Sequence, residues 1–200
     1  MTIVEDRPGA GYGSARKAMI DSQLRTSGVS AEWVLRRMAE VPREQFVPIE
    51  ARGYAYIDRA IPLSGGQRLA APVVQGMMLQ EARPTVDDKA LVIDGGSGYL
   101  AELLGPQVGS IEVASAADAQ GKAKGSGFTL LLIDGAVEHL PDALVRRLAD
   151  NARVVTGLVQ GGITRLAIGR KSGGQVALLP LAELGIPVLA EFAAPKGWSF

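Results

Sequence analysis

Residues 89–104, KALVIDGGSGYLAELL, constrain the fold more than any other stretch. A short continuous apolar run of this kind suits a strand covered on both faces. It ends at Asp94 and passes through Gly95-Gly96-Ser97-Gly98-Tyr99 into a helical pattern. Strand, glycine turn and helix in that order belong to a sheet built from βαβ units, mostly parallel and doubly wound. In such sheets ligands bind beyond the carboxyl ends of the strands, and glycines let the backbone turn tightly and approach a ligand with no Cβ in the way. Turns of this type serve nucleotides, flavins and sulfonium cofactors alike, and also occur with no ligand. The G-G-S-G spacing and the lack of an acid at a clear strand end about 20 residues on disfavour a dinucleotide, since Asp118 lies in a small-residue segment.

The remaining elements fit the same plan. GFTLLLID (127–134) is a second buried strand, ending in Asp134-Gly135. Its expected neighbour is the glycine-turn strand, so Asp94 and Asp134 would flank one crevice. GSIEVAS (109–115) is a further strand. VEHLPDALVRRLAD (137–150) has the pattern of an amphipathic helix, with Arg146 and Arg147 late, where they suit the helix dipole. ARVVTGLV, ITRLAIGRK and QVALLPLAEL read as strands, the last two joined by an SGG hairpin and placed antiparallel at one edge. Upstream, residues 1–13 read as a loose start and 14–28 as a helix stopped by Gly28. A second helix is capped by Ser30 and ended by Pro42, and a third starts at Pro72, where a missing N–H is tolerated. Residues 43–71 read as a folded loop region with short strands, and 115–127 as an exposed small-residue segment. The organisation is an N-terminal helical and substrate-side extension, 14–80, on a sheet domain, 81–200. His139 reads as a turn residue, and Trp198 as packing on the core.

Bulk chemistry removes several function classes. With 21 basic and 21 acidic residues, the formal net charge is zero, and no basic face suits nucleic acid or an anionic membrane. The chain has no cysteine and one histidine, which excludes thiolate and His-rich metal sites and cysteine nucleophiles. No apolar run reaches the roughly 18–20 residues of a membrane span, and the first residues lack a signal-peptide core, so the expected location is cytoplasmic.

The segments MIDSQLRTSGV, VLRRMAEVPREQFVP, AYIDRAIPL, GGQRLAAP, GGSGY and IDGAVEHLPDALVRRL, in that order, resemble the protein-L-isoaspartate O-methyltransferase family over most of 17–185. The resemblance implies a Rossmann-like class I methyltransferase fold, here lacking one edge strand because only about 13 residues separate the second strand from FTLLLID. It also implies S-adenosylmethionine as cofactor and methylation of the α-carboxyl of isoaspartyl residues in damaged proteins or peptides. The residues it assigns to the cofactor are Asp94, Gly95, Gly96, Ser97, Gly98, Tyr99, Asp134 and Gly135. Gln67 and Pro72 fall on the substrate side, Asp58 is a candidate acid, and no metal is implied. The chain departs from the family pattern at three places. Val92-Ile93-Asp94 stands where the family has an acid followed by Ile-Gly. Ala70 stands where it has an active-site serine. The second strand ends in Ala114 or Ser115, with Glu112 nearby, where the family has a ribose-binding acid. A non-catalytic binding or scaffold relative of the same fold is the alternative.

Overall fold

The computed structural model describes residues 10–121 and 125–194. Six strands form one mixed sheet, β3 (Lys89–Asp94), β4 (Ser110–Ser115), β5 (Phe128–Val137), β6 (Leu148–Gln160), β7 (Ile163–Ser172) and β8 (Gln175–Glu183), in the order β4-β3-β5-β6-β7-β8. The first four in that order run parallel, and β7 and β8 are antiparallel additions. A separate two-stranded hairpin joins β1 (Ile61–Pro62) to β2 (Arg68–Leu69).

Alternation along the central strands divides the interior in two. Ala90, Val92, Leu130 and Leu132 face the cluster that holds Met19, Leu24, Met38, Met78 and Leu79 of the N-terminal helices. Leu91, Ile93, Leu131 and Ile133 face the opposite cluster, with Phe128, Leu144, Leu189 and Phe192. Both faces are therefore dry, which is why these strands read as unbroken apolar runs.

The first face is covered by α1 (Ala10–Met19), α2 (Glu32–Glu40), α3 (Pro72–Ala82) and α4 (Tyr99–Leu104). Residues 1–9 of the expected loose start lie outside the described residues, and Ala10–Gly13 open α1 instead. The chain then continues through a wider turn, Ile20–Leu24, and a tighter one, Arg25–Ser27, to Gly28 at φ 93°. Ser30 does not cap α2; that position is Ala31, which has no side-chain oxygen. Gln80 of α3 instead anchors the segment leading into α2 from across the interface, its Oε1 accepting the Ser30 and Ala31 amides at 2.8 and 3.0 Å.

The second face is thinner. Between Ser115 and Phe128 the described residues form only α5 (Ala116–Ala119), whose Ala116 and Ala119 are buried rather than exposed. No strand lies beyond β4 among the described residues, so β4 is an edge and Val113 stands open to solvent. The helix expected over 137–150 shrinks to one turn, α6 (Asp142–Val145). Leu148 already pairs with Phe128, and Asn151, at φ 63°, adopts a left-handed conformation incompatible with helix. Pairing with β5 wins over the local helical pattern there. Arg147 belongs to this junction, with its guanidinium over the Phe128 ring and Nε donating to the Gly125 carbonyl. Trp198 lies outside the described residues. Among the described residues no helix is long and apolar enough to cross a membrane.

Candidate functional site

At the carboxyl end of β3 the chain turns back on itself around Asp94. Its carboxylate accepts the Gly96 amide at 3.0 Å and the Gly98 amide at 2.8 Å. Ser97 Oγ accepts the Tyr99 amide at 3.1 Å. The turn is thus closed by its own acid, which takes the Gly96 and Gly98 amides. Gly95 is required by crowding: a Cβ there would stand 2.3 Å from the Asp134 carbonyl oxygen. Gly96 is required twice over, by φ 110° and by the Gln67 side chain that lies against it.

Over this turn opens a cavity of about 310 Å³, a size at the lower end for small-molecule sites. Its walls are the hairpin tip Gly65–Arg68, Asp94 and Gly95, Ala116 of α5, and the segment 187–191. That last wall is tied to β5. Ala136 donates its amide to the Pro187 carbonyl at 2.7 Å and accepts the Leu189 amide at 2.9 Å. Gln120, just after α5, donates to the Glu191 carbonyl from the other side. Asp94 and Glu191 supply negative charge and Arg68 positive charge around one hollow. Such a lining suits a small molecule that carries both signs.

Behind the turn lies a buried polar group. Asp134 is 2 % exposed, and its carboxylate faces inward, accepting from Gln75 Nε2 at 3.0 and 3.2 Å. Burial, and next the charge of Asp94, push its pKa up to about 7, against the pull of Gln75 and Arg43. Gln75 Oε1 in turn accepts from Arg43 Nη1 at 2.7 Å. Arg43 is wholly buried, with Nε on the Ala55 carbonyl at 2.8 Å, Nη2 on the Ala70 carbonyl at 2.5 Å, and its plane 5.0 Å from the Tyr99 ring centroid. Burial lowers the guanidinium pKa and raises that of the Tyr99 phenol.

The expected site residues therefore separate. Asp94 and Gly95 line the cavity, and Gln67 stands over Gly96 at its rim. Ser97, Gly98 and Tyr99 build the turn without lining the cavity. Asp134 and Gly135 lie behind it, Gly135 covered by the Leu189 side chain. Ala70 and Pro72 are buried where β2 leads into α3, while Asp58 is exposed and away from the cavity. Ser115, at the tip of β4, caps α5 by accepting the Asp118 amide at 3.1 Å. His139 is exposed. No cluster of three metal-ligating side chains is present among the described residues. Reading the sequence alone missed Arg43, Gln75 and the 187–191 wall. The available signals were a glutamine inside the apolar run PVVQGMML and the late apolar segment IPVLAEF.

A profile of the protein-L-isoaspartate(D-aspartate) O-methyltransferase family matches residues 14–115. The chain belongs to this family. A relative from Koribacter versatilis, a protein-L-isoaspartate O-methyltransferase, is 32 % identical over 83 % of this chain and 86 % of its own. One of the same name from Aeropyrum pernix is 32 % identical over 94 % and 84 % respectively. The fold agrees: a Plasmodium falciparum protein-L-isoaspartate O-methyltransferase solved with S-adenosyl-L-homocysteine superposes with a TM-score of 0.69 at 15 % identity, over 90 % of this chain and 98 % of that one. The matched region in this family member runs from α1 to the tip of β4, and so includes the glycine turn, the hairpin and Arg43.

Proposed function

We propose that this chain is an S-adenosylmethionine-dependent methyltransferase acting on the α-carboxyl of isoaspartyl residues in proteins and peptides, in the cytoplasm. The observation that carries the reading is the cavity over the Asp94–Gly98 turn, at the carboxyl ends of β3 and β4, in a chain of this family. The residues present fit the cofactor. Asp94 and Glu191 give the cavity negative charge for the cationic part of the ligand, Gly95 adds no side chain to its wall, and Arg68 offers a partner for the ligand's carboxylate. When bound, S-adenosylmethionine supplies an electrophilic methyl group on sulfur. The chain's own part is to orient an incoming carboxylate and keep water out. The hairpin tip with Gln67 and the 187–191 segment form the two walls between which that carboxylate must enter. The methyl ester carries a better leaving group than the free carboxylate: the following backbone nitrogen attacks its carbonyl carbon, methanol leaves, and the succinimide so formed reopens with water as aspartate or isoaspartate.

Ala70 supports a second reading. It is buried and offers no hydroxyl, so its position supplies only a backbone carbonyl, already taken by Arg43. A cofactor-binding relative without transfer activity is consistent with that. Calorimetric titration with S-adenosylmethionine and S-adenosylhomocysteine, followed by methyl transfer to an isoaspartyl peptide against its aspartyl counterpart, separates the two. Binding with transfer to the isoaspartyl peptide alone is the expected result. Binding without transfer supports the second reading, and no binding at millimolar cofactor overturns both.

A further inference from the structure

The buried polar chain behind the glycine turn joins two parts of the molecule with different tasks. At one end Arg43 Nη2 holds the Ala70 carbonyl, at the point where the hairpin enters α3. At the other end Asp134 sits on β5 at the place where its carbonyl crowds Gly95 of the turn. Among the described residues Gln75 is the one hydrogen-bonded link between them, and its polarity is set: Oε1 must accept from the guanidinium, and Nε2 must donate to the Asp134 carboxyl. Among the described residues no carboxylate touches Arg43, and no donor but Gln75 bonds the Asp134 side chain. A guanidinium and a carboxyl group are thus joined through one amide in the interior, a costly arrangement for stability alone. An apolar filling of the same volume would hold the fold as well. What the chain adds is a defined distance between the hairpin side and the turn, because charged hydrogen bonds have narrow geometry whereas apolar contacts slide.

We infer that Arg43, Gln75 and Asp134 are positioning residues that set the Ala70–Pro72 segment against the Asp94–Gly98 turn and so align the methyl acceptor with the donor. The inference rests on the methyltransferase reading above. None of the three reaches the cavity, so the chain acts through the backbone at Ala70 and Gly95. Misalignment of this kind lowers turnover far more than ground-state binding.

The test compares Gln75→Leu with the triple variant Arg43→Met/Gln75→Leu/Asp134→Val. The single variant strands a buried guanidinium and a buried carboxyl group; the triple variant removes the whole polar chain and keeps the interior filled. Three quantities are measured on each: amide hydrogen exchange over 68–74, S-adenosylmethionine affinity by calorimetry, and KM and kcat for the isoaspartyl peptide. Both variants are expected to speed exchange at 69–71 by at least tenfold. Cofactor affinity should stay within about threefold and kcat should fall by a factor on the order of 10–100. The triple variant should show these effects even with wild-type thermal stability. If the single variant fails to fold, the triple variant alone decides. Unchanged exchange at 69–71, or a kcat loss that disappears as stability is restored, overturns the inference. If the wild-type protein transfers no methyl group, the functional reading fails on its own, and the exchange measurement still decides whether the chain holds this segment.

Discussion

Leu189 occupies the space a side chain on Gly135 would need: a Cβ there would lie 2.5 Å from Leu189 Cγ. This contact presses the 187–191 segment onto the end of β5, where Ala136 and Val188 form a parallel bridge. One wall of the cavity therefore depends on a glycine that does not itself line it.

Gly135→Ala should push that wall outward. Leu189 and Phe192 belong to the same buried cluster, so the strain reaches the interior. A loss of about 1–3 kcal/mol is expected from overpacking, read by denaturant unfolding, with faster amide exchange confined to 186–192. Unchanged stability and exchange would mean the segment is not held by this contact.

Asp94→Ala removes the acceptor for the Gly96 and Gly98 amides as well as the charge facing the cavity. A stability loss of about 1.5–3 kcal/mol follows from the charged hydrogen bonds. Cofactor affinity should drop at least tenfold in calorimetry, and Asp94→Asn should restore part of the stability but little of the affinity. Equal affinity in all three proteins would remove Asp94 from the site.

Asp134 makes stability depend on pH in a direction opposite to most carboxylates. Its pKa in the folded chain, about 7, stands above the ordinary value of 3.8. Between those values the folded chain keeps a proton that the unfolded chain has released, so raising the pH across that window lowers stability. Asp134→Asn carries no such proton. Its melting temperature relative to wild type should rise from pH 5 to pH 8, each kcal/mol appearing as about 2–4 °C. A difference that stays constant with pH would show that Asp134 is ionised throughout.

Asp88 behaves the other way. Burial works against its charge, but donors from Thr129 Oγ1 at 2.7 Å, the Thr85 amide at 2.8 Å and Arg153 at 2.5 Å outweigh it and hold its pKa below the ordinary range. Its contribution is present at neutral pH and fades as the pH falls below about 4. Asp88→Ala leaves Arg153 without its partner and should destabilise by about 3 kcal/mol. Thermal unfolding at pH 7 and pH 3 checks this, the gap between variant and wild type closing at the lower pH.

The periodicities of the chain determined the strands of the main sheet, though not the helix expected over 137–150. They also determined the glycine turn at 95–98 and the antiparallel pair joined at Gly173-Gly174, because burial on two faces and positive φ leave local marks in residue choice. The motif order over the first half determined the family. Tertiary contacts decided the rest. Leu148 joined a strand because Phe128 was there to pair with it, and the entry to α2 is held by Gln80, far downstream in α3, rather than by Ser30. Asp134 turned inward because Gln75 offered a donor in the interior, whereas Asp94, on the neighbouring strand and with the same side chain, folded over its own turn. A carboxylate goes where its hydrogen bonds are, and for a residue at a strand end those partners come from segments far away in sequence, so its role is settled only when the chain has closed on itself.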